Sequence, residues 1–125
     1  MLVCQTSWDT NTIKKRLLEI LSHPDDVVYV ACLDDQVKGW VHGFYSRRVE
    51  SDSFVEIGGL VVDAHYRNRS IGRLLVDEIL EWARTKGCEK VRVRTNTIRE
   101  EAHQFYLKRG FLLNKEQKIF DKLLY

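Results

Sequence analysis

The chain has 125 residues, 44% of them apolar and 30% charged, and a formal net charge of +2. That length suits one domain, residues 1–125, with a real core, and the near balance of charge argues against a dedicated nucleic-acid protein, although a local basic patch can still exist. No apolar run is long enough to span a bilayer, so no membrane partner is expected.

Met1-Leu2-Val3-Cys4 passes at once into polar residues, which is not the pattern of a secretory signal. Cys4, Cys32 and Cys88 are widely spaced and fit no metal or redox pattern. Free thiols acting as small buried hydrophobes in a reducing compartment are expected, which points to the cytoplasm.

In chain order, Leu2 to Gln5 can form a short strand. Thr10 to Leu21 has Ile13, Leu17, Leu18, Ile20 and Leu21 at helical spacing, with Asp9 or Thr10 as the N-cap. Pro24, the only proline, marks a loop. Val27 to Leu33 is β-branched and apolar, hence a strand. Asp34-Asp35-Gln36 reads as a hairpin turn, and Val37 to Ser46 as the returning strand. Phe54 to Val62 is a nearly continuous apolar strand that contains Gly58-Gly59, the mark of a bulge or of a close approach by another backbone or a ligand.

Ile71 to Lys86 is the clearest helix. Ile71, Leu75, Val76, Ile79, Leu80 and Ala83 form one apolar face, and Gly87 ends it. Lys90 to Thr95 alternates as a strand. Thr97 and Glu100 make a capping box for a helix to Arg109, closed by Gly110. Phe111 to Leu113 and Gln117 to Leu123 can supply two last strands. The order predicts a mixed α/β sheet flanked by helices. Its one βαβ crossover would run from Phe54–Val62 through the long helix to Lys90–Thr95, with the two strands parallel.

Ligands of such sheets bind beyond the carboxyl ends of the strands. The turn at that position is Tyr66-Arg67-Asn68-Arg69-Ser70-Ile71-Gly72. A helix N-terminus offers unpaired N–H groups and a partial positive charge, and Gly72 admits a close backbone approach. Arginines on the same turn make it a diphosphate cradle. Neither a P-loop nor a three-glycine dinucleotide fingerprint is present.

Arg67-Asn68-Arg69-Ser70-Ile71-Gly72 resembles the diphosphate signature Arg/Gln-x-x-Gly-x-Gly/Ala of the GNAT superfamily of acyl-CoA-dependent N-acyltransferases, with Ser70 in place of the first glycine. A second family motif follows in order: Asn96, then Phe105-Tyr106-Leu107-Lys108-Arg109-Gly110-Phe111. The pair covers roughly residues 54 to 111. The N-terminal part matches only as a pattern of elements, with one helix where the family usually has two.

The resemblance implies the GNAT fold, a mixed and mostly antiparallel sheet of about seven strands with about three helices. It implies transfer of an acetyl group from acetyl-CoA, the co-substrate, to a primary amine within a ternary complex. It places the pantetheine arm beside Leu60, Val61 and Val62, with the Leu60 N–H polarising the thioester carbonyl. The diphosphate would meet Arg67, Asn68, Arg69, Ser70, Ile71, Gly72 and Arg73, while Asn96 would hold the pantetheine or the strand splay. Serine at position 70 can keep helical φ/ψ and its N–H, or crowd the ligand if the position needs φ > 0.

A lysine-like amine has a pKa of about 10.4, so only about one part in a thousand is neutral at pH 7 and a base helps. Glu56 interrupts the apolar strand and is the candidate base; the competing reading pairs it with Arg92 or Arg94. The resemblance also makes Tyr106 the candidate acid for the departing CoA sulfur and implies that it contacts the cofactor; the competing reading is a core tyrosine. His23, His42, His65 and His103 lack metal-ligand spacing, so no metal is expected, and only His42 sits on a central strand.

The expected acceptor is a small-molecule amine. A peptide, a protein or a charged tRNA is the alternative acceptor, a non-catalytic CoA-binding regulatory module is the alternative role, and a homodimer is compatible with the resemblance.

Overall fold

A computed structural model describes residues 10–95 and 98–125. The described residues fall into two compact units, one ending at residue 94 and the other beginning at residue 95. The expected strand Leu2–Gln5, Asn96 and Thr97 lie outside the described residues.

The first unit is built on a four-stranded sheet of order β1-β2-β3-β4. Helix α1 (Thr10–Leu21) leads into β1 (Asp26–Leu33), β2 (Gln36–Ser46) and β3 (Phe54–Val62). Helix α2 (Ile71–Thr85) crosses to β4 (Val91–Val93). The first three strands pair antiparallel, and β3 pairs parallel with β4, as the βαβ crossover requires.

The β1–β2 turn is closed by Asp34 and Asp35 at φ 51° and 61°, a two-residue loop whose left-handed backbone matches the twist of the strands. The core lies between α2 and one sheet face. Ile71, Leu75, Val76, Ile79 and Ala83 are buried there with Val41, Val55 and Ile57. Gly43 of β2 lets α2 come close: a Cβ at that position would stand 2.6 Å from Cδ1 of Ile79.

β4 is shorter than Lys90–Thr95, and the cause lies in β3. The parallel ladder runs from Val55↔Val91 to Ile57↔Val93. Across the sheet, His42 pairs with Gly59 but Gly43 pairs with Ile57, so Gly58 is an extra residue. This bulge bends β3, and the described β3–β4 pairing goes no further.

The second unit holds helix α3 (Glu100–Lys108). It starts at Glu100 with Arg99 as its N-cap, later than the capping box predicts, and places Glu100 and Glu101 in the first turn where they suit the helix dipole. Gly110, at φ 91°, ends the helix region. The strands expected over Phe111–Leu113 and Gln117–Leu123 are not formed: residues 111–125 carry neither helix nor strand, and 112–125 are exposed. A segment able to form a strand becomes one only when a ladder partner satisfies its backbone.

Candidate functional site

The bulge at Gly58 does more than bend β3; it reverses which way the backbone donors point. Before it, the Val55 N–H donates to the Lys90 carbonyl at 3.2 Å, toward β4. After it, the Asp63 N–H donates to the Lys38 carbonyl at 2.7 Å, toward β2. Donors alternate along an extended strand, so the Leu60 and Val62 N–H groups face the edge away from β2. There, β4 has already ended at Val93. Leu60 and Val62 are half-buried and Val61 is exposed. An extended ligand can add to this edge as a short strand.

The chain then enters the expected cradle. The Asp63 side chain caps a single 3-10 turn, Ala64–Tyr66, by accepting from the His65 N–H at 2.9 Å. Arg67 is extended, whereas Asn68 and Ser70 are left-handed at φ 65° and 66°. The step from left-handed Ser70 into helical Ile71 turns successive N–H groups to the same side, as an anion-binding nest does. From Arg67 to Arg73 no backbone N–H donates to a backbone carbonyl among the described residues. Arg67, Arg69 and Arg73 are exposed and carry no ion pair among the described residues.

Ser70 therefore does not hold helical φ/ψ. It is the N-cap of α2 in the left-handed region, and its hydroxyl makes no capping bond. A glycine at this position would carry no Cβ penalty there, which explains the family's preference in local terms.

Lys38 is a residue that sequence reasoning missed. Ala31 pairs with Gly39 and Cys32 with Val37, so Lys38 is the extra residue of a second bulge. Its Nζ lies 4.4 Å from the Tyr66 ring centroid, and the Arg69 guanidinium lies 5.2 Å from the same centroid. Both cations flank the start of the cradle. Nothing in the sequence around Lys38 signals the bulge.

Glu56 lies on the sheet face opposite α2, beside Phe44 on β2 and Arg92 on β4. It is the buried charged residue of the core, 9% exposed, and its Oε1 accepts from Nε of Arg94 at 3.1 Å. The ion-pair reading of Glu56 is thus realised with Arg94. On the same face Phe54 is buried beneath Arg48, Lys90 and Arg92, whose cationic groups lie 5.3, 4.7 and 4.4 Å from its ring centroid. His42 Nε2 stands 2.7 Å from Oδ1 of Asp26.

In the second unit Tyr106 packs edge-on against Phe105 and Phe111, with ring centroids 5.1 and 5.4 Å away. Desolvation raises its phenol pKa, opposed in part by Arg99. The hydroxyl therefore keeps its proton at neutral pH, the state an acid must start from. Cys88 is likewise raised by desolvation, against the pull of Lys86, and stays a thiol. No cluster of His, Cys, Asp and Glu among the described residues has the makings of a metal site. No described helix is long and apolar enough to cross a membrane.

Residues 3–111 match the family model described as the acetyltransferase (GNAT) family. The N-acetylaspartate synthetase of Xenopus tropicalis is 28% identical over 110 residues, which cover 88% of this chain and 38% of that protein. The glucosamine 6-phosphate N-acetyltransferase of Trypanosoma brucei brucei is 35% identical over 65 residues, 52% of this chain and 42% of its own length. The chain thus spans less than half the length of these curated relatives. Among solved structures, AAC(6')-Iy in complex with the bisubstrate analog CoA-S-monomethyl-acetylneamine superposes with a TM-score of 0.82 at 18% identity, covering 94% of this chain and 82% of that one.

Proposed function

The chain belongs to the GNAT acetyltransferase family, and from that footing we propose that it moves the acetyl group of acetyl-CoA directly onto a small primary amine. The observation that carries this reading is the parity reversal at Gly58, which frees the Leu60 and Val62 N–H groups beside a nest of unpaired amides.

The residues present fit acetyl-CoA. The nest from Arg67 to Arg73, with Arg69 and Lys38 alongside, suits a diphosphate. The free edge of β3 suits an extended pantetheine amide chain. The Leu60 N–H is the donor for the thioester oxygen, a kind of contact worth roughly 2.7–4 kcal/mol where it has been measured. Glu56 meets the acceptor ammonium and takes its first proton. Tyr106, held protonated, supplies a proton to the departing sulfur. Asn96 is proposed as a further pantetheine contact on the strength of its motif alone.

The acceptor we favour carries a carboxylate or phosphate near its amine. Arg48, Lys90 and Arg92 gather on the face that holds Glu56, and they would repel a polycation. Aspartate and glucosamine 6-phosphate, the compounds in the names of two relatives, are amines of that kind.

Thiol release from acetyl-CoA tests the proposal across acidic amino acids, amino-sugar phosphates, polyamines, aminoglycosides and N-terminal peptides. The anionic amines should give the highest kcat/KM. Glu56→Gln should then lower kcat by about 100-fold and Tyr106→Phe by a comparable factor, the usual weight of one proton-transfer group. Unchanged turnover in either variant removes that residue from its role, and no release with any amine removes the activity.

A further inference from the structure

Acetyl transfer to an ammonium group removes two protons from nitrogen. One must leave before attack, because the lone pair forms the new N–C bond. The other leaves as the tetrahedral adduct collapses, the C–S bond breaks and its electron pair departs with sulfur. In the reading above, Glu56 takes one of them and Tyr106 protonates sulfur. Tyr106, left as a phenolate, regains its proton from solvent, and the second nitrogen proton needs an acceptor close to nitrogen.

We propose that His42, oriented by Asp26, is that acceptor. The inference rests on the acetyltransferase reading of this site. His42 Nε2 lies 2.7 Å from Oδ1 of Asp26, with both side chains about four-fifths buried at 21% and 23% exposure. A carboxylate only accepts hydrogen bonds, so Nε2 carries the hydrogen and Nδ1 of the neutral ring is left with its lone pair. The ring is fixed further by Phe44, whose centroid is 5.6 Å away.

Nδ1 is directed at the bulge. A Cβ built on Gly58 would stand 3.0 Å from Nδ1 and 3.1 Å from Cε1 of Phe44, so the missing side chain opens the space in front of the lone pair. No described hydrogen bond uses Nδ1. No described side-chain nitrogen or oxygen is both buried and unpartnered, so Nδ1 is reachable from solvent. Glu56 shares this sheet face: it pairs with Phe44, the next residue after His42 on that face of β2, and the freed Leu60 N–H follows two residues after Gly58. The nitrogen of an acceptor held at Glu56 can therefore give its second proton to Nδ1, forming imidazolium against Asp26, and that proton passes to solvent after product leaves.

The test uses the full chain with the best amine from the thiol-release panel. His42→Ala should lower kcat about 100-fold, with the thermal stabilisation by acetyl-CoA retained and millimolar imidazole restoring part of the rate. His42→Gln keeps a donor for Asp26 and a similar volume but has no basic nitrogen, so it should be folded, equally slow and insensitive to imidazole. Wild-type turnover in the glutamine variant overturns the proposal, as does an alanine variant whose loss imidazole leaves untouched. If wild type binds acetyl-CoA but releases no thiol with any amine, the acetyltransferase reading itself fails and takes this one with it. Loss in Glu56→Gln alone, with both His42 variants active, leaves that reading standing and overturns only the role of His42.

Discussion

Ser70 holds a backbone conformation that serine disfavours, because in the left-handed region Cβ crowds the following carbonyl at a cost of roughly 1–2 kcal/mol. The chain accepts that cost at the point where α2 must present its first amides. Ser70→Gly removes it, though glycine gives back part through greater freedom in the unfolded chain. The net gain should be about 0.5–1 kcal/mol in urea unfolding of the ligand-free protein. A loss of stability would mean that the Ser70 hydroxyl contributes something the geometry does not reveal. Tyr106 gives a prediction of the opposite kind, about pH. Its pKa is raised above 10.0 by desolvation, so its proton is fully present through neutral and mildly alkaline pH and is lost only above that value. The kcat/KM profile should show no alkaline limb from Tyr106 below about pH 10, and Tyr106→Phe should lower the profile without changing its shape.

Element by element, the helix that matters most was the easiest to read. The apolar positions of α2 recur at helical spacing, and all of those on the expected face are buried except Leu80, which is half-buried. Its seat on β2 depends on Gly43, which reads in the sequence only as one member of an alternating strand. Gly43→Ala should push a methyl against Cδ1 of Ile79, a side chain with no exposure, and cost about 1–3 kcal/mol as overpacking does elsewhere. Ile79→Val deletes that same Cδ1. The double variant should therefore be less destabilised than the sum of the singles, a coupling readable from a denaturation cycle. Additive losses would place the clash elsewhere. The bulge at Gly58 was half legible: two glycines in a strand announce a distortion, but not that it reverses the donors of Leu60 and Val62. That follows from registry with β2 and β4, which no local pattern encodes. The bulge that displaces Lys38 left no trace, and residues 117–123 suggested a strand where none is formed. The proposed site residues stand out in the sequence because a carboxylate in an apolar strand and arginines on a helix-opening turn are costly or conspicuous alone. The Asp26–His42 pair was not, because its members are brought together only by the β1–β2 ladder.

Taken whole, the molecule has a net charge of only +2, so any attraction for a polyanion must come from where the charges sit. Lys38, Arg67, Arg69 and Arg73 converge on one turn through a bulge, a loop and a helix start. Screening acts over about 8 Å at physiological ionic strength, which makes this local field sensitive to salt. Acetyl-CoA at 100 times its dissociation constant should stabilise the folded chain by about 2.7 kcal/mol, so a thermal-shift titration reads the affinity directly. That affinity should weaken steadily as potassium chloride is raised. Lys38→Met removes one charge of the cluster while keeping an unbranched side chain, and it should weaken acetyl-CoA binding at low salt while flattening the salt dependence. The distal variant Lys14→Met, at an exposed position on α1, should alter neither. A Lys38→Met variant with wild-type affinity and the full salt slope would remove Lys38 from the cradle and leave the nest of amides and the three arginines to hold the diphosphate unaided.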